Sequence, residues 1–166
     1  ANVDIAGFSA RAGDGGSVKV TRVDVRLMGD DDGTFNATAN GFGDTGANTL
    51  VTSVGLYKVV GTTYTRLTGS TTDVGMTLVG AIGANGYYRA QFNNLAHPIA
   101  KSDTEKWVVR VNLTNTISAT RYLAAVIDAD TDIIVQDQDG SSVTATSSDL
   151  NLAATPTVLK TIGTGG

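Results

Sequence analysis

The chain of 166 residues carries 12 basic and 16 acidic side chains, for a formal charge of −4 and a pI near 4.7. Charged residues make up only 17% of it, which leaves no basic stripe for a phosphate backbone and excludes nucleic acid as an expected partner. Cysteine is absent, removing disulfides, thiolate catalysis and cysteine-ligated metals, and the length suits one domain around one core.

Period-two alternation recurs along the chain, and no long amphipathic helical period does. In chain order the expected strands cover Val3 to Phe8, Val18 to Met28, Thr34 to Ala39, Leu50 to Val60, Tyr64 to Leu67, Val74 to Val79, Tyr87 to Phe92, Glu105 to Thr114, Arg121 to Ile127, Ile133 to Gln136 and Val143 to Thr146. Turn signals such as Gly13-Asp14-Gly15-Gly16, Asp32-Gly33, Asn40-Gly41, Asn85-Gly86 and Asp139-Gly140 separate them. Glu105 is the single glutamate; the other acids are aspartates, which favour caps and turns, while threonine suits a pleated surface. The expected fold is all-β: a single antiparallel β-sandwich of jelly-roll or immunoglobulin-like topology.

Two strands carry finer expectations. In the second, the apolar set shifts from Val18 and Val20 to Val23, Val25 and Leu27, so a bulge near Thr21 is needed to keep one face inward. In the strand entered through Ile99 to Thr104, Trp107 is in phase with Val109, Val111 and Leu113 and belongs to the core. No charged segment with an apolar core opens the sequence, and no run of about eighteen apolar residues occurs, so no membrane span and a soluble, already processed form are expected.

Candidate metal ligands come from acidic spacing. Asp128-Ala129-Asp130-Thr131-Asp132 alternates carboxylates, Asp137 and Asp139 follow closely, Asp30-Asp31-Asp32 forms a second cluster, and Asp14 lies in a glycine-rich loop. Calcium takes six to eight oxygens from such short acids in loops, although Ile133 stands where an EF-hand requires glycine. Asn36 and Asn112 open Asn-x-Thr triplets and are glycosylation candidates compatible with an extracellular or cell-surface location. The one histidine, His97, precedes Pro98 in an apolar loop between Leu95 and Ile99 with no partner nucleophile in its neighbourhood. No catalytic constellation accompanies it, so a non-enzymatic protein is expected.

The N-terminal segment supplies the last candidate. Residues 1–12 read as a strand with Val3, Ile5 and Phe8 apolar, residues 13–17 as a glycine-rich hinge, and residues 18–166 as the sandwich. Such a strand can satisfy its backbone on any exposed sheet edge, including that of another copy, and a contact of that kind that does not close builds fibres. The pattern Gly7-Phe8-Ser9-Ala10-Arg11, the Asp-Gly hinge, the long strand from Val18 to Leu27 and the turn-into-strand from Ile99 to Leu113 resembles secreted β-sandwich fibre subunits. These include cannula-type tubule proteins of archaea and biofilm matrix-fibre proteins. The resemblance implies a homopolymer in which Val3, Ile5 and Phe8 insert into a groove of the next subunit, with calcium assisting at inter-strand loops. The alternative is a calcium-dependent carbohydrate-binding or adhesive module, or an S-layer or capsid-decoration domain. Glycans would then be the partner, met by exposed rings among Tyr57, Tyr64, Tyr87, Tyr88 and Tyr122.

Overall fold

A computed structural model of the chain describes residues 2–29, 50–80, 87–114, 121–127, 129–146 and 159–162, with backbone alone for residues 122, 129, 130 and 159–162. The expected strand Thr34 to Ala39, Asn36, Asp128 and the Asp30–Asp32 cluster lie outside these residues. The elements are β1 (Asn2–Arg11), β2 (Val18–Gly29), β3 (Val51–Val60), β4 (Thr63–Arg66), β5 (Met76–Val79), β6 (Tyr87–Phe92), β7 (His97–Ile99), β8 (Thr104–Leu113), β9 (Arg121–Val126), a single helical turn α1 (Ala129–Asp132), β10 (Ile133–Gln136), β11 (Ser142–Val143) and β12 (Leu159–Ile162). The protein is all-β, and the pairings between its strands are antiparallel.

One sheet has the order β1-β8-β3-β4. The other is organised around β2, which pairs with β6 and β7 along one flank and with β9 and β10 along the other; β5, β11 and β12 extend it outward. The sheets share one apolar core in a sandwich-like arrangement, with Val54, Leu56, Trp107 and Val109 from the first meeting Val23, Val25, Phe92 and Leu123 from the second. Val74 bridges Val54 of β3 just before the chain joins β6 as β5, so this segment passes from one sheet to the other.

Local chemistry accounts for the irregularities. Ile134 faces Arg22 while Val135 faces Val20, so Thr21 is the extra residue of a bulge, as the hydrophobic shift along β2 required. Its carbonyl accepts the Leu95 N–H at 2.9 Å, and its hydroxyl donates to the Ile134 carbonyl at 3.2 Å. On the same flank, Val126 stands opposite Arg26 and Ile133 opposite Val23, and the longer chain between them includes the turn α1. Tyr88 packs on the main core, whereas Tyr87 packs on a second cluster of Met28, Ala124 and Val126 on the opposite face of its sheet, as adjacent strand residues must.

Candidate functional site

Among the described residues β1 is an edge strand with one ladder, to β8, and it fills a place in the core. Opposite pairs on an antiparallel ladder share a face, so Val3 beside Val111 and Phe8 beside Trp107 point inward. Strict alternation cannot put residues 3, 5 and 8 on one side. A register shift between Asp4 and Ala6 resolves this: Ile5 and Ala6 are consecutive buried residues, at 0% and 5% exposure, and the phase of the strand resets after them. All three side chains expected to insert therefore reach the core, which in this structure is that of their own chain. Burying Ile5 contributes roughly 1.5–3 kcal/mol.

On the outer face the same strand is clasped by polar groups from across the sheet. Asp4 Oδ1 accepts from Arg110 Nε of β8 at 2.6 Å, and Asp4 Oδ2 accepts from the Tyr64 hydroxyl of β4 at 2.6 Å. The Arg110 guanidinium lies 3.8 Å from the centre of the Tyr64 ring, a cation–π contact. The bond to Asp4 is the main cause that holds the Tyr64 hydroxyl above its ordinary pKa, and it raises Arg110 as well. Behind the clasp, Tyr57 lies across Gly55, whose missing side chain leaves the room. A Cβ there would come within 2.5 Å of both Tyr57 Cε2 and Asp73 Oδ1. Asp73 accepts from Tyr57 at 3.2 Å and Asn112 at 2.9 Å and pairs with Arg66 at 2.6 Å. Burial, then Asp73, pushes the Tyr57 hydroxyl up.

The loop after β1 is fastened. Ala12 N–H donates to the Asp103 carbonyl at 3.1 Å, Ser102 N–H donates to the Gly13 carbonyl at 3.3 Å, and Lys101 N–H donates to Ser17 Oγ at 3.0 Å. Asp14 accepts from Ser102 Oγ at 2.8 Å and pairs with Arg11 at 3.2 Å. Yet Gly13 and Gly15 keep φ outside the left-handed region, and an added Cβ at either would meet nothing within 4 Å. Their freedom is not used by the conformation seen.

The remaining sequence candidates are dispersed. Asp132 is buried against Arg26 at 2.7 Å, and Asp137 Oδ1 accepts the N–H groups of Asp139 and Ser141 at 2.9 and 2.8 Å, as in an Asx turn. Among the described residues, no group of three His, Cys, Asp or Glu side chains is placed to hold a metal ion. Asn112 Nδ2, the atom a glycan would occupy, donates to Ser53 Oγ and Asp73 Oδ2, both at 2.9 Å. His97 is a buried strand residue, not the loop residue expected. Its Nε2 lies 2.6 Å from Glu105 Oε2 and its Nδ1 accepts the Thr68 N–H at 3.1 Å, which places the ring proton on Nε2. Glu105, buried at 5% exposure, also accepts from Lys58 Nζ at 2.5 Å and Trp107 Nε1 at 3.0 Å. Burial pushes its carboxyl up, but bonds from Lys58, His97 and Trp107 prevail and hold it below the ordinary value. Both carboxylate oxygens and both imidazole nitrogens are engaged by neighbours, which makes this hub a structural knot inside the sandwich.

No protein-family model, curated protein or solved structure matches this chain. Sequence reasoning missed the clasp. Asp4, Arg110 and Tyr64 are ordinary strand residues whose meeting is decided by sheet order, and nothing in their local sequence marks them.

Proposed function

We propose that the chain is a non-enzymatic structural subunit of an extracellular filament or tubule that polymerises by passing β1 to a neighbouring copy. The observation that carries this reading is Ile5: a fully buried core residue on a strand whose one backbone ladder among the described residues is that to β8. A groove filled from its own chain in this way can be filled identically from another, and the exchange opens into a fibre when it is head-to-tail. The loop glycines whose freedom goes unused here suit the reorientation that exchange demands. In this reading the two sheets follow an immunoglobulin-like order, and β1 takes the edge place beside β8.

The glycan-binding alternative draws less support. Trp107 is 1% exposed, and the ring of Tyr64, 37% exposed, already carries the Arg110 guanidinium. Calcium enters the proposal through Asp128, Asp130, Asp139 and the Asp30–Asp32 run, because the described carboxylates of Asp14, Asp132 and Asp137 are engaged by protein donors. Negative-stain microscopy of the purified chain in millimolar calcium and in chelator tests both parts. Filaments in both conditions, more abundant with calcium, are the expected result; monomers at every concentration would refute assembly, and equal yields would remove the ion.

A further inference from the structure

We infer that Arg110 and Tyr64 form a receptor for one carboxylate on an incoming strand, and that Asp4 of a second copy is its ligand, so that the clasp sets partner and register during strand exchange. The inference rests on the assembly reading above and adds what selects the strand.

Backbone ladders do not distinguish sequences, and an apolar groove accepts many alternating strands. A slip of one residue along β8 would turn Val3 outward and is rejected by the core. A slip of two keeps the same face inward and is rejected only by something on the outer face. It would carry the Asp4 carboxylate roughly 7 Å along the sheet, beyond both Arg110 Nε and the Tyr64 hydroxyl, each now at 2.6 Å. Asn2 or Ala6 would then stand at the clasp, with no charge to answer the guanidinium. The bulge at Ile5 begins at the next residue, so the clasp and the bulge together fix where the phase changes. Arg110 Nε–H and Tyr64 O–H approach different oxygens of the same carboxylate, a two-point grip that an amide, with one accepting oxygen and an NH2 that only donates, does not reproduce. The Arg110 guanidinium lies 3.8 Å from the Tyr64 ring centre and 5.8 Å from that of Tyr57, so two rings border it and restrict where its Nε can point.

The test exchanges the two charges in the full chain. Asp4→Arg and Arg110→Asp alone should each form at least tenfold less polymer than the unmodified chain by light scattering and microscopy. An equimolar mixture should recover it, because each donor strand meets an opposite charge only in the other variant. The double variant should polymerise with itself and segregate from labelled unmodified chain, which keeps the test decisive if a single variant does not fold. Single variants that assemble normally, or a double variant that copolymerises freely with unmodified chain, would overturn the clasp while leaving strand exchange standing. A mixture that stays inert, with the double variant a folded monomer, would show the clasp acting within its own chain and overturn the proposal. An unmodified chain that forms no polymer would overturn this inference and the assembly reading together.

Discussion

Glu105 is a position at which a single change should be costly, because it answers several donors at once. Its two oxygens receive three donors inside or at the rim of the core: Lys58, His97 and Trp107. In Glu105→Gln the amide oxygen can turn to His97 and Trp107, leaving its NH2 opposite Lys58, which is 32% exposed along its side chain and can swing into water. The loss is then about one charge-assisted hydrogen bond, roughly 2 kcal/mol. In Glu105→Ala the indole and imidazole donors are both buried without an acceptor, at about 1–3 kcal/mol each, so roughly 4 kcal/mol is expected. For a chain of this length these figures correspond to falls in Tm of about 4–8 °C and 8–16 °C. The sign with pH follows from the lowered carboxyl. Its stabilisation is present above the unfolded-state pKa near 4.3 and is lost as pH falls through the lower folded value, so the gap between the parent and Glu105→Gln should narrow in acid. The chain has one tryptophan, so Trp107 fluorescence reports unfolding at this knot. Equal stability of Gln and Ala variants, or a gap that widens in acid, would refute the reasoning.

Two further substitutions probe the strands around β1. Ile5→Ala should cost about 2–4 kcal/mol in urea unfolding, whereas the exposed Ser9→Ala should stay within about 0.5 kcal/mol; similar values for both would mean that β1 does not fill the core. Gly55→Ala must displace the Tyr57 ring and should cost about 1–3 kcal/mol. Added to Tyr57→Ala it should cost less, because the ring is gone and only Asp73 Oδ1 still has to give way, and strictly additive losses would contradict the contact with the ring.

Much of the scaffold was legible because its signals are local. The apolar shift from Val20 to Val23 required the bulge at Thr21, and the phase of Trp107 with Val109 and Val111 required burial; both are seen. The inward set of Val3, Ile5 and Phe8 was legible too, although the bulge that makes their parity work was not. Elements whose local signal is weak were missed. β7 is three residues long and contains Pro98, so it read as loop, and with it His97. β12 was not among the expected strands, and its ladder to β9 supplies what its threonine- and glycine-rich surroundings do not signal. The helical turn α1 sits within a run of alternating aspartates that suggested an ion-wrapping loop; one of them, Asp132, turns instead to Arg26. Partners such as Asp4 with Arg110, or Asp73 with Asn112, are distant in sequence, and sheet order alone joins them.

The central claim, that β1 completes the core of another copy in the assembled material, is tested most directly by cysteine pairing in a chain that has no native cysteine. Ser9 and Lys106 stand opposite each other on β1 and β8 and are exposed, within the reach of a disulfide. The double variant Ser9→Cys/Lys106→Cys, assembled and then oxidised, should run as a covalent ladder of multimers without reductant and collapse to one band with it. A product that remains a single cross-linked monomer from the same assembled sample would contradict the account.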